Sequence, residues 1–279
     1  MRQISTAKRQ GFWDLRAAGN FVGGGTGTGL ILASVIATAA GGDARLPMAV
    51  GLGFVMLGLS LVWLEIGKPW RALNVFFHPQ TSWMTREGIV AAPLGATVAG
   101  FVVFGPTWLL PVIAVLAAAF LYCQARILRA SRGIPAWKQP EIVPLILATG
   151  LAEGTGLFVA LGHPVPLLIA LALAGGLARE AAWSAYSRAL VRGRAPRATL
   201  AVFASAPARA LRLVRWSAMV LLALAWAGLL PGGLAGGLLA AVSGWGIKAM
   251  LVTRAAYTRG PLIPHTPVRG RGISRTVEA

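Results

Sequence analysis

One cysteine, three histidines, three tyrosines and eight acidic residues are all that the 279 positions hold of those types. The lone thiol, Cys123, cannot hold an iron–sulfur cluster, which takes about four, and cannot close an internal disulfide. It reads as a small packing residue. The histidines, His78, His163 and His265, fall in a loop, a turn and the tail. The facing pair of helical histidines that a membrane b-type haem uses is therefore missing. No His, Cys and carboxylate group has metal-ligand spacing either, so we expect neither haem nor metal in this chain. Charge is scarce as well: 12% of residues, where soluble domains carry about 25%. The excess is basic, with 26 Lys and Arg and a net charge of +18. These cations are spread over short connections without a base-reading motif, so no nucleic acid partner is expected.

What the chain has in quantity is apolar length. Hydrophobic residues make up 56%, enough for about eight spans of roughly 20 residues each. The expected fold class is all-α, a polytopic membrane helical bundle. Its spans are expected over 17–40, 48–66, 88–104, 109–128, 142–162, 165–185, 211–230 and 234–252. A basic segment, 1–16, precedes them, and Phe12, Trp13 and Leu15 give it the look of an interfacial helix. A basic, proline-bearing tail, 253–279, follows and is expected to be extended. The first apolar run starts too late and is too long for a cleavable signal.

Orientation follows from the cations. With eight spans both termini share a face with the loops after spans two, four and six. All of the basic residues except Arg45 fall on that face, which is therefore expected to be cytoplasmic, in an inner membrane. The arginine-rich stretch 186–209 (Arg188, Arg192, Arg194, Arg197) is expected to be a loop there.

The polar chemistry concentrates in LVWLEIGKPWRALNVFFHPQTSWMTREGIV, from Leu61 to Val90, which joins spans two and three. Glu65 ends one helix and Glu87 opens the next, where a helix N-terminus favours an anion. Lys68, Arg71, Asn74, His78 and Arg86 lie between them, interleaved with Trp63, Trp70, Phe76, Phe77 and Trp83. Carboxylates, cations and indoles at one membrane face describe the mouth of a site for an amphipathic ring compound, a quinone being the leading candidate. The alternative is that these charges only cap helices and pair with one another. Asn20, early in span one, is a candidate partner for a quinone carbonyl.

Three further features need a reading. The run Gly23-Gly24-Gly25-Thr26-Gly27-Thr28-Gly29 imitates a phosphate loop, but no strand precedes it and it lies inside a span. Small residues at this spacing allow close helix packing instead. Glu153 falls near mid-membrane, where an ionisable side chain is a functional candidate by default. It is expected either to be protonated and hydrogen-bonded or to serve as a station on a proton path. Lys248, near the end of the last span, is expected to snorkel.

The run Leu64-Glu65-Ile66-Gly67-Lys68-Pro69-Trp70-Arg71-Ala72-Leu73-Asn74, followed by Thr81-Ser82-Trp83-Met84-Thr85-Arg86-Glu87, resembles the second-to-third-helix signature of the DMSO reductase anchor-subunit family. That family belongs with the wider NrfD/polysulfide reductase membrane-subunit group. The specific motif spans about 25 residues, and the architecture agrees over most of the chain. The resemblance implies a subunit that binds quinone beside an iron–sulfur electron-transfer subunit, which in turn serves a molybdopterin catalytic subunit. It places Glu87 and Arg71 at the quinone site, with Glu65, where the DMSO reductase anchor has a histidine, as the third catalytic group. Asn20 resembles the first-helix asparagine that touches quinone in polysulfide reductase. Trp63, Lys68, Trp70, His78, Trp83 and Arg86 would complete the binding slot, with Glu153 on a possible proton path.

The charge count puts the partner subunits on the cytoplasmic face. That arrangement is similar to the anchors of phenylacetyl-CoA:acceptor oxidoreductase and membrane-bound sulfite dehydrogenase. From another class, a proton- or ion-translocating transporter without a redox role is the alternative.

Overall fold

The computed structural model describes the chain except for residues 1, 4–5, 66–75, 132, 164, 232, 260–261 and 264–279. Ten α-helices follow one another: α1 (Leu15–Ala39), α2 (Arg45–Glu65), α3 (Trp83–Phe104), α4 (Leu109–Ala130), α5 (Pro135–Lys138), α6 (Ile142–Ala160), α7 (Pro166–Arg192), α8 (Arg197–Ala204), α9 (Ala206–Trp226) and α10 (Leu234–Ala249). A π-helical turn, Met250–Arg254, prolongs α10. The only described strands are a two-residue pair, Arg2–Gln3 against Leu262–Ile263.

Among the described residues seven helices are long and apolar enough to cross a membrane: α1, α2, α3, α4, α6, α7 and α10 with its π turn. This is a multi-pass, all-α membrane bundle. The expected seventh span, 211–230, coincides with α9, which is not among those seven helices. Its length suffices, but Arg209, Arg212 and Arg215 crowd its first half and take it below spanning apolarity.

Two other expectations are corrected. The arginine-rich stretch is mostly helical: α7 runs on through Arg188 to Arg192, and α8 starts at Arg197. Ala, Leu and Arg are good helix formers, so nothing in that stretch ends α7 before Gly193. The described residues before Leu15 are not helical. Gln10 donates from its backbone N–H to Ala256 O, and from Nε2 to Val252 O at 3.1 Å and Trp13 O at 2.7 Å. It therefore lies along the C-terminal end of the bundle. Asp14 then caps α1, accepting from the Arg16 N–H at 2.7 Å.

α1 is the axis of the bundle, packing on α2, α6, α4 and α10. Its glycines are the reason. A Cβ on Gly27 would meet Gly51 O of α2 at 2.5 Å, and one on Gly29 would meet Gly150 O of α6 at 2.1 Å. Backbone rests directly on backbone, the close approach that small residues permit between membrane helices. α1 is therefore buried nearly all round, whereas α2 and α3 keep wide apolar faces outward, as surfaces against lipid do.

Candidate functional site

α1, α3 and α4 bring three amide and carboxyl side chains together. Asn20 projects from the second turn of α1, Glu87 from α3 and Gln124 from α4, and all three are buried. Gln124 donates from Nε2 to Asn20 O at 3.0 Å. Glu87 lies within side-chain hydrogen-bonding reach of both Gln124 and Asn20. Three oxygens remain without a partner: Asn20 Oδ1, Glu87 Oε1 and Gln124 Oε1. A buried, unpaired polar atom costs about 1–3 kcal/mol, and here three lie close together. Glu87 is not in the first turn of its helix, as expected from sequence. Ser82 caps α3 four residues before α3 reaches Arg86, its side chain accepting from the Thr85 N–H, and Glu87 lies deeper, 4% exposed.

A cleft opens beside Asn20. Trp13, Ala17, Phe21, Val62, Glu65, Met84 and Ile127 line it with Asn20, around a cavity of about 30 Å³. Trp13 is held in place by stacking on Trp137 at 4.8 Å. Arg16 reaches across the rim to donate to Leu64 O at 3.1 Å and pairs with Asp14 at 2.9 Å. Outside the spans, that pairing holds the Asp14 carboxyl below its ordinary range, chiefly through the side-chain hydrogen bond from Arg16.

The other residues expected in the slot are placed elsewhere or lie outside the described residues. Lys68, Trp70 and Arg71 fall in the second group, as does Asn74. Trp83 is clamped between two guanidinium groups, Arg86 at 4.2 Å and Arg126 at 4.3 Å. Arg86 also ties down the preceding turn, donating to Pro79 O at 2.7 Å and Gln80 O at 2.9 Å. His78 is exposed, and its carbonyl accepts from the Ser82 N–H. Trp63 is largely exposed on α2, next in sequence to the cleft-lining Val62, and is not part of the lining.

A second polar centre lies on the other side of α1. Lys248 of α10 and Glu153 of α6 pair at 2.6 Å, both fully buried. Thr26 donates to Glu153 Oε2 at 2.8 Å and accepts from Trp245 Nε1 at 2.8 Å. The snorkelling expected of Lys248 is thus overturned. Its chain bends inward because Gly25 leaves room; a Cβ there would stand 2.1 Å from Nζ. Arg179 of α7 is buried next to this pair. It donates from Nη1 to Ala240 O at 3.0 Å, while Nε and Nη2 have no partner. Beyond it, Arg215 of α9 holds Glu180 with two bonds, at 2.5 and 3.1 Å, and lies over Trp183.

Residues 5–229 match the family described as Polysulphide reductase, NrfD. The chain belongs to the NrfD family. No curated protein matches it. NrfD-family members are membrane subunits of redox enzyme complexes; they interact with quinones and associate with electron-transfer partner subunits.

Within this NrfD protein, the cleft fits a quinone headgroup by the chemistry of its lining. Aromatic and aliphatic walls stand beside unpaired amide and carboxyl oxygens, the composition of a small-molecule site. Among the described residues no group of three His, Cys, Asp or Glu is placed to hold a metal. Sequence reasoning found Asn20, Glu65 and Glu87 but passed over Gln124, Trp13, Phe21 and Met84. Gln124 was findable as the one amide in the apolar run of α4. It also passed over Arg179, Glu180 and Arg215, although all three lie inside expected spans.

Proposed function

We propose that this chain is the quinone-reactive anchor of a cytoplasm-facing molybdopterin/iron–sulfur oxidoreductase in the inner membrane, of the phenylacetyl-CoA:acceptor oxidoreductase or sulfite dehydrogenase kind. The observation that carries the reading is the set of three unpaired oxygens, on Asn20, Glu87 and Gln124, next to an aromatic cleft that ends at Glu65. The basic face supports the orientation, since cytoplasmic connections collect Lys and Arg. It also suits docking of a protein partner by charge complementarity.

A bound quinone supplies a two-electron, two-proton acceptor. Glu87 holds a proton at its carboxyl and presents Oε1 toward the headgroup, as general acid or base for one carbonyl position. Such groups typically contribute about 10²–10⁴-fold. The amide groups of Asn20 and Gln124 would orient that position. Glu65, at the rim, exchanges protons with water. Arg71 and Lys68, on the segment that follows α2, offset developing negative charge. Trp13, Phe21 and Met84 wall the slot.

The test is Glu87→Gln in the native complex. Electron transfer from the partner to decylubiquinone should collapse, while reduction of an artificial acceptor by the catalytic subunit continues. Equal loss in both assays would remove Glu87 from the quinone site.

A second reading, transport without redox chemistry, is favoured by one observation: the buried Glu153–Lys248 pair, which the cleft does not need. Purification of the chain as a lone homo-oligomer, free of any iron–sulfur partner, would favour it.

A further inference from the structure

α1 is bare where the two polar centres face each other. Gly24 and Gly25 are consecutive. A Cβ on Gly24 would stand 2.1 Å from Gln124 Nε2, and a Cβ on Gly25 would stand 2.1 Å from Lys248 Nζ. Consecutive Cα atoms are about 3.8 Å apart. The amide of the cleft-side centre and the ammonium of the interior centre thus press on adjoining points of one uncovered helix backbone. The two groups therefore lie within roughly 10 Å of each other.

The interior centre is poorly explained as a brace. A buried ion pair is weak evidence for stability, because desolvation offsets most of the attraction. This cluster also holds three cations, Lys248, Arg179 and Arg215, against two carboxylates, Glu153 and Glu180. Its hydrogen bonding is incomplete: Glu153 Oε1 and Arg179 Nε and Nη2 have no partner. The groups around Glu153 are Thr26 from α1, Lys248 from α10 and Arg179 from α7, with Glu180 and Arg215 of α7 and α9 behind Arg179. From Glu153, fully buried, the cluster runs outward to Glu180, whose side chain is 15% exposed. A string of ionisable groups from the bundle core toward its surface is the arrangement of a proton relay.

We propose that the Glu153–Lys248 pair is a proton-loading site, filled and emptied in step with charge changes at the Asn20–Glu87–Gln124 site across the Gly24–Gly25 wall of α1. The proposal rests on the quinone-site reading and assigns this subunit a further activity, moving protons. As negative charge arrives beyond the wall, the Glu153 carboxylate takes up a proton from water, and a Glu153 O–H forms beside the Lys248 ammonium. At roughly 10 Å and an effective dielectric of about 20, one unit charge changes a neighbour's proton affinity by roughly tenfold to a hundredfold. When that charge is neutralised, the Glu153 O–H breaks and the proton leaves outward past Glu180. Lys248 and Arg179 keep their own protons throughout, and their positive charges restore the Glu153 carboxylate and its 2.6 Å bond to Lys248. No net oxidation occurs at any of these groups.

The test uses the native complex reconstituted in liposomes, with reduced methyl viologen as donor, decylubiquinone as acceptor and a pH dye in the lumen. In wild type the lumenal pH changes with each quinone reduced. Glu153→Gln should remove most of that change while quinone reduction continues within about threefold of wild type, because general acid–base work at the headgroup stays with Glu87. The electrochemical infrared difference spectrum should lose a protonated-carboxyl C=O band in the same variant. The paired variant Glu153→Gln/Lys248→Met, which leaves no lone buried charge, should behave likewise and guards against misfolding. An unchanged lumenal signal in a folded variant overturns the proposal, and so does loss of quinone reduction as deep as that of Glu87→Gln. If instead Glu87→Gln leaves quinone reduction intact, the quinone-site reading itself has failed, whatever Glu153 does.

Discussion

On one flank of α1, Asn20, Glu87 and Gln124 keep three oxygens unpaired beside an open cleft. On the other, Glu153 and Lys248 bind each other at 2.6 Å, with no exposure. Both centres bury polar groups among apolar helices, yet the first is neutral apart from one carboxyl and the second is dense in charge. The first lies beside a cleft that Glu65 and Val62 of α2 also line, and we propose that a ligand enters there. The second is closed, and Glu153 and Lys248 meet each other's charge instead of water's dipoles. Burying polar chemistry in a bundle is therefore not one strategy: access decides whether acceptors are left open or charges are paired.

The contrast can be broken at several points. Glu87→Gln should have the largest effect, a drop in quinone-linked turnover of about 10²–10⁴-fold, read from steady-state rates with decylubiquinone, with little change in thermal stability. Lys248→Met should do the reverse. Stripping the partner from a buried carboxylate costs about 3–5 kcal/mol, seen as a lowered melting temperature in detergent, and adding Glu153→Gln should restore most of it. If Lys248→Met were as stable as wild type, the buried Glu153 would not depend on Lys248 for a partner.

Gly154→Ala comes next. Its Cβ would fall 2.0 Å from Gly29 C, and overpacking of this kind costs typically about 1–3 kcal/mol, forcing α1 and α6 apart. Both centres should suffer together, since both lean on α1. The smallest effect belongs to Asp14→Asn at the start of α1. The Asp14 carboxyl is held below its usual value of 3.8 by Arg16. Its stabilising contribution is therefore present at neutral pH and lost as pH falls through the acid range. Acid unfolding curves of wild type and Asp14→Asn should converge at low pH.

The span positions were legible because a membrane helix is a local property. Twenty apolar residues in a row announce α1, α2, α4, α6 and α10 without any knowledge of neighbours. α9 was legible as a helix but not in its apolarity, since Arg215 finds its partner Glu180 in another helix. Lys248 was misread for the same reason. Near a span end a lysine ordinarily turns to water, and only its rotation toward Glu153, 95 residues away in sequence, shows that it turns inward. The three slot residues on 66–75 lie outside the described residues. Gln124 carried a signal in its isolation, but no signal of its contact with Asn20.

Sequence by itself determined that this chain is a polytopic helical membrane protein of the NrfD kind, because hydropathy and a linear motif are sums over adjacent residues. Only the tertiary structure decided which polar groups share a site. That depends on how each helix is rotated about its own axis, and here the rotation is set by glycines on α1 that let α2, α4, α6 and α10 close against it.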